Sequence, residues 1–310
     1  MNLSLLKYIP STDYLSVKIR AIFKLTRWRE HVPHTIPLAL CGALMAVQQN
    51  DTVVDWRLLA VIIANILTQS FAFIINDVED APDDALNPKK RAHNAISNGE
   101  LSRREGMLLS AVTALIALAL FAIGGMGAFL SGVLMVVLCY LYSAYPFRLK
   151  ARPVTDVVSH ALMLSALIIM TGYFSYSDEV GSAWLIFLAG FLFSAYGQFY
   201  NQIDDYEVDK EAGLRNTVVL LGKRGTQALM YGSLIGAAIL AIVAISQGLF
   251  PAWLGVVGVI GVFVSSLFTW ETDMRGNPAV GSGAVQKPAL LVLNLIMLVW
   301  LAQSIGMLGG

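Results

Sequence analysis

The sequence predicts an all-α integral membrane protein in which nine transmembrane helices surround a central cavity. Three observations lead there. Of the 310 residues, 56% are hydrophobic and only 14% are charged, whereas a soluble domain carries about 25% charged residues. Mean hydropathy is +0.66, and apolar stretches near the roughly 20 residues that cross a bilayer recur along the chain. The basic residues gather in alternate connections, as they do in polytopic membrane proteins.

The chain reads as one domain, 1–310, with a lead-in over 1–33. Within the lead-in, residues 14–32 interleave Leu15, Val17, Ile19, Ile22, Phe23 and Leu25 with Lys18, Arg20, Lys24, Arg27 and Arg29. That pattern suits an amphipathic helix lying on an anionic membrane surface. It lacks the apolar core and cleavage site of a signal peptide. The predicted spans cover 34–49, 55–77, 106–125, 127–145, 154–174, 183–205, 226–247, 251–270 and 288–306. With nine spans, all of the 21 basic residues except Arg57 fall on one side of the membrane. The N-terminus and the connections after spans 2, 4, 6 and 8 are therefore expected in the cytoplasm, and the C-terminus outside. The opposite connections, such as Gly124-Gly125-Met126-Gly127 and Gln247-Gly248, are turn material.

Acidic and basic residues balance at 21 each, so no charge excess points to a nucleic acid. Cys41 and Cys139, both in apolar runs, suit neither a disulfide framework nor a zinc site.

Two acidic clusters carry the chemistry. Asn76, Asp77, Glu79, Asp80, Asp83 and Asp84 follow span 2, and Asn201, Asp204, Asp205, Glu207 and Asp209 follow span 6. Carboxylates at a bilayer edge are costly unless paired or metal-bound. Asp77, Asp80 and Asp84 repeat at three and four residues, and Asn201, Asp205 and Asp209 at four and four, the spacing of one helix face. Like charges there repel, and a divalent cation removes the penalty. Oxygen-only ligands favour a hard ion such as Mg²⁺, which shares its shell with substrate phosphates. Asn76, Asp80 and Asp84 map onto Asn201, Asp205 and Asp209 at a constant offset, and each cluster precedes a basic loop containing Asn94 or Asn216. Two copies on opposite walls of one cavity would hold a diphosphate between metal ions. Pro82 is expected to break the helix between Asp80 and Asp84, leaving Asp83 as an alternative ligand to Asp84. Asp156 and His160, four residues apart, are expected to meet in a structural contact at a helix end. Gln198 and Asn201 lie within about one turn and are candidates to orient substrate.

Asn76-Asp77-x-x-Asp80-x-x-x-Asp84 after span 2, with Asp205-x-x-x-Asp209 after span 6, resembles the signature of the UbiA superfamily of intramembrane prenyltransferases. Tyr142-Ser143-Ala144-Tyr145-Pro146-Phe147-Arg148-Leu149-Lys150 is similar to a third stretch of that family, and Asp156 resembles a recurrent position just after it. The sequence departs from the family pattern at Asn94-Ala95, where Arg-Pro is common, and at Asp204, where Arg is common. The resemblance implies transfer of an isoprenyl group from a prenyl diphosphate to an aromatic or other lipophilic acceptor within the membrane lipid, through an allylic cation shielded from water. It implies Asp77, Asp80, Asp84, Asp205 and Asp209 as ligands of two Mg²⁺ ions. It implies Asn76, Asn201, Lys90, Arg91, Arg148, Lys150 and Tyr200 as substrate-binding residues, and Asp80, Asp205, Lys150 and Tyr145 as catalytic ones. Tyr145, Tyr200 and Tyr206 would face the cation, since aromatic faces attract positive charge. The rival readings are a cation-coupled transporter and a non-catalytic prenyl-lipid-binding homologue. Carboxylates at helix ends rather than at the midplane argue against transport.

Overall fold

The computed structural model describes residues 12–211, 213–268, 270–274 and 276–307. Lys7 and Arg275, counted above among the basic loop residues, lie outside the described residues, as does the side chain of Leu15. Helices α1 (Thr12–Thr26) and α2 (Trp28–Gln49) meet at Arg27, which takes a left-handed φ of 46°, so the amphipathic run expected over 14–32 is split there and α2 starts six residues before the first predicted span. Helix α3 (Trp56–Asp84) starts on the carboxylate of Asp55, which accepts from the Arg57 amide. The short α4 (Pro88–His93) begins with Asn87 as cap and proline at its first turn, where the missing N–H costs nothing. Ser102 and Glu105 form a reciprocal capping box that starts α5 (Arg103–Ile123).

Helix α6 (Met126–Ser143) leads through a 3₁₀ turn, Leu149–Ala151, into α7 (Thr155–Ala161). A π turn, Leu162–Ala166, joins α7 to α8 (Leu167–Tyr173), so span 5 is one rod with an inserted bulge. Then come α9 (Trp184–Asp204), α10 (Tyr206–Glu211), α11 (Thr217–Ser246), α12 (Ala252–Leu267) and α13 (Gly283–Ser304). Helix α11 starts nine residues before the predicted span and is bent where Gly222 adopts a φ of 72°, a conformation open chiefly to glycine.

Among the described residues seven helical segments are long and apolar enough to cross a membrane. They are α3, α5, α6, α7 with α8, α9 with its preceding turn, α11 and α13. Helices α2 and α12 stand where the first and eighth spans are predicted. The first is diluted by His34, two prolines and Gln48-Gln49, and the second is 16 residues long.

Successive spans pack side by side. Helix α3 lies on α5 and α6, α6 on α7 and α8, α9 on α7 and α11, and α12 on α13, while α13 returns to α2 and closes the ring. Helix α2 also crosses α8 closely. A Cβ on Gly42 would collide with the carbonyl of Ile169, and one on Gly172 with the carbonyl of Ala39. Small residues at such crossings let backbones meet where lipid supplies no hydrophobic drive.

The expected break at Pro82 does not occur. Helix α3 runs unbroken through it to Asp84. A proline leaves the carbonyl four residues earlier without its donor, here that of Val78, and the Arg103 guanidinium donates to it at 3.0 Å. The same device recurs twice. The Pro33 carbonyl, orphaned by Pro37, accepts from Asn294 Nδ2 at 2.8 Å, and the Ala284 carbonyl, orphaned by Pro288, accepts from the Trp270 amide at 3.0 Å.

Candidate active site

The continuity of α3 puts Asn76, Asp77, Asp80 and Asp84 on one helix end, and each is met by a different element. The stretch after α6 brings Lys150 to Asn76 and Asp80. Its ammonium donates to Asn76 Oδ1 at 2.8 Å and to both Asp80 oxygens at 2.7 and 2.6 Å. Arg148 donates to Asp80 at 3.1 Å and to Asp83 at 3.3 Å, and its guanidinium stacks on the Tyr145 ring, whose hydroxyl it also contacts. Ser143, in the last turn of α6, donates to Asn76 Oδ1 at 3.0 Å. Lys150 and Asp80 are each only 17% exposed. Burial pushes the Lys150 ammonium below the ordinary lysine value, with the carboxylate of Asp80 opposing.

Asp77, one turn before Asp80, is 1% exposed and bound by Arg27 at 2.6 Å. Asn94 closes the end of the motif. Its Nδ2 donates to the Asp77 carbonyl and to Asp84 Oδ2, while its Oδ1 accepts from the amides of Ile96 and Ser97. Asp84, rather than Asp83, is thus the fixed carboxylate at this position, and Asp83 is 65% exposed.

The second cluster is built differently. Helix α9 ends at Asp204, and Asp205 is a hinge residue before the short α10. Asn201, Asp205 and Asp209 keep the i to i+4 backbone bonds, but the run is interrupted at Asp205, so the expected single helix face is not continuous. The likeness of the two clusters survives in the loop that follows. Asn216 Nδ2 donates to Asp209 Oδ2 at 2.6 Å, as Asn94 does to Asp84, while Asn216 Oδ1 caps α11. In both copies the last aspartate is tied by the asparagine of its basic loop.

Below this cluster Asp156, fully buried, accepts from Gln202 Nε2, the Thr217 amide and hydroxyl, and the Val157 amide. The expected Asp156–His160 contact is absent. His160 meets Ser194 and the Tyr142 ring instead, and Asp156 fastens α7 to α9 and α11.

Several predicted residues stand outside this network. Lys90 and Arg91 are exposed on α4. The Tyr200 hydroxyl accepts from the Val280 amide at 3.4 Å, at the segment before α13. The ring of Tyr206 is already faced by Lys210 and Lys223. Conversely, the roles of Arg27, Gln202 and Thr217 were not read from the sequence. Arg27 was one basic residue among several, and the others are ordinary polar residues whose partners lie far along the chain.

The donor set fits a hard divalent cation. It is made of oxygens alone, Lys150 marks a point where three of them already surround a positive charge, and Asp77 Oδ2 is buried with no hydrogen-bond partner. Among the described residues no three acidic or imidazole side chains converge on a single point, and Arg27, Lys150 and Asn94 each bind one of the carboxylates.

The model of the UbiA prenyltransferase family matches residues 35–281. The chain is 33% identical over 165 residues to a lycopene elongase/hydratase of Haloferax volcanii, spanning half of each protein. It is 25% identical over 259 residues to a lycopene elongase/hydratase of Corynebacterium glutamicum, covering 83% of this chain and 87% of that one. To the 4-hydroxybenzoate octaprenyltransferase of Aeromonas salmonicida it is 29% identical, covering 67% and 71%. A UbiA homologue of Archaeoglobus fulgidus, solved with DMAPP and Mg²⁺, shares the fold with a TM-score of 0.68 at 24% identity, over 93% of this chain and 99% of that one. The apo UbiA homologue of Aeropyrum pernix K1 gives 0.70 at 21% identity, over 90% and 98%. The family match covers most of the chain, so this protein belongs to the UbiA prenyltransferase family and is a membrane enzyme of the prenyltransferase class.

Proposed function

We propose that the protein transfers an isoprenyl group from a prenyl diphosphate to a lipophilic acceptor inside the membrane. The observation that carries this reading is the convergence of Asn76, Asp80, Lys150 and Arg148 at the end of a membrane-spanning helix, where anionic oxygens and cations alternate. Mg²⁺, one ion at each acidic cluster, would neutralise the diphosphate as it departs. Asp77, Asp80 and Asp84 would hold one ion, and Asp205 and Asp209 the other. Arg148 and Lys150 would bind diphosphate oxygens, with Asn76 accepting from Lys150 and orienting it. Lys90, Arg91, Asn201 and Tyr200 would contribute at the rim, and Tyr145 holds Arg148 in place.

The carbon–oxygen bond to the diphosphate breaks with its electron pair on oxygen. A π bond of the acceptor attacks the allylic cation, a carbon–carbon bond forms, and the acceptor loses a proton. The ring of helices excludes water that would otherwise capture the cation. The relatives named as acting on lycopene and on 4-hydroxybenzoate support a hydrocarbon or aromatic acceptor. The basic connections support a cytoplasmic site and N-terminus, with the C-terminus outside.

The test is mass spectrometry of products from purified protein in lipid, given dimethylallyl or geranyl diphosphate and a panel of carotenoid and aromatic acceptors. An alkylated product that requires Mg²⁺ and disappears on chelation is expected. Full turnover in metal-free buffer would refute the metal clamp, and the absence of any alkylated product would overturn the transfer reading.

A further inference from the structure

We propose that the junction of α1 and α2 carries a binding site for the headgroup of an anionic phospholipid, beside the prenyl-transfer site and joined to it through Arg27. A cleft of about 420 Å³ opens here between α1, the start of α2 and α4. Four cations line it: Arg20, Lys24, Arg27 and Arg29. Among the described residues three carboxylates stand by them. Asp77 pairs with Arg27, Glu100 pairs with Lys24, and Glu30 stands on the rim. One positive charge is left over, before any contribution from His93, and this matches a single phosphodiester. Arg20 is exposed and has no acidic partner among the described residues, and Arg29 lies over the Trp28 ring.

The occupant is a lipid rather than a free anion because of what surrounds the charge. Phe23 and Trp28 line the same cleft while 61% and 45% exposed, and Val17 and Ile19 on α1 are nearly half exposed. Aromatic side chains beside arginines are the pattern of a headgroup-level anchor. The opposite face of α1 is not available to lipid. Ala21 and Leu25 are buried against Ile74, Val78, Ala95 and Leu101, which fixes the helix on the end of α3. Lys24 also donates to the Ala92 carbonyl at 2.7 Å, so α4 forms the second wall. The cleft is therefore concave, cationic and flanked by apolar rings, with its α1 wall packed on α3. A general basic surface needs none of those features beyond charge.

The test uses the full chain in detergent and native mass spectrometry with added phosphatidylglycerol or phosphatidylcholine. The wild type should retain one phosphatidylglycerol in preference to phosphatidylcholine. The Arg20→Gln/Arg29→Gln variant should lose at least about tenfold in phosphatidylglycerol affinity, the scale expected from two interfacial arginines. A charge-matched control, Lys89→Gln/Arg104→Gln, removes exposed basic residues from the same end and should retain the lipid. Inorganic phosphate at equal concentration should not compete. Equal loss in both variants would show diffuse surface attraction and overturn the site. Displacement by inorganic phosphate would overturn the lipid in favour of a free anion. Because the readout is lipid retention, it stands or falls independently of prenyl transfer.

Discussion

Lys150 occupies the point on which Asn76 and Asp80 converge, so a divalent ion bound there has to displace its ammonium. A freed Lys150 is then available to the diphosphate. Lys150→Met is accordingly expected to lower turnover by about 100-fold, the scale of losing one charge-stabilising group. The same change should enlarge the stabilisation that Mg²⁺ gives in thermal unfolding, because the competing cation is gone. A smaller Mg²⁺ effect would mean that Lys150 supports the metal rather than contests it. Asp80→Asn and Asp205→Asn should each cost at least about 100-fold. The double variant should lose far less than the product, since residues acting as one unit are strongly non-additive. Glu207→Gln, which removes only an exposed pair with Lys223, is the control. Initial rates at saturating donor decide between a shared clamp and two independent sites. The carboxylates and Lys150 were legible because their types and spacing state a chemistry. Arg27 and Asn94 were not, because their roles arise from position: Arg27 at a left-handed turn, and Asn94 folded back onto Asp77 and Asp84.

Helix α3 remains unbroken through Pro82, and another helix supplies the missing donor. That arrangement predicts a sign that ordinary packing would not. Arg103→Met leaves the Val78 carbonyl without a partner and should destabilise the protein by about 1–3 kcal/mol, the cost of an unsatisfied buried polar group. In the Pro82→Ala background residue 82 regains its N–H, the normal helical bond to Val78 returns, and the cost of Arg103→Met should shrink. A double-mutant cycle on unfolding in detergent measures this, and additive losses would show that Arg103 acts through Glu79 alone. Apolar length made the helices themselves legible, and the span predicted from residue 106 begins three residues after the start of α5. The expectation of a break at Pro82 failed because the rescue of its carbonyl is a tertiary contact. The π turn in span 5 and the bend at Gly222 are likewise invisible to apolar periodicity.

The whole molecule has two distinct ends, each defined by contacts between loops. At one, Lys150 meets Asp80 and Asn216 meets Asp209. At the other, the Tyr176 hydroxyl binds Asp55 at 3.0 Å and receives the Leu58 amide at 3.1 Å. Among the described residues the basic ones follow the same division, with Arg57 alone at the second end. Orientation in the membrane is governed by Lys and Arg in short connections, so the end bearing the acidic clusters should face the cytoplasm. Lys89→Cys and Glu179→Cys place exposed thiols at opposite ends, and they can be introduced after Cys41 and Cys139 are replaced by alanine. A membrane-impermeant maleimide applied to sealed cells should label Glu179→Cys and spare Lys89→Cys, with the pattern reversed in inverted vesicles. The opposite pattern would place the clusters outside and separate them from a cytoplasmic supply of diphosphate. Labelling of both sites from one side would contradict the alternating ring itself, since α3 and α8 would then end on the same face. The measurement thus tests the charge rule and the helix packing together, and the two failures leave different signatures.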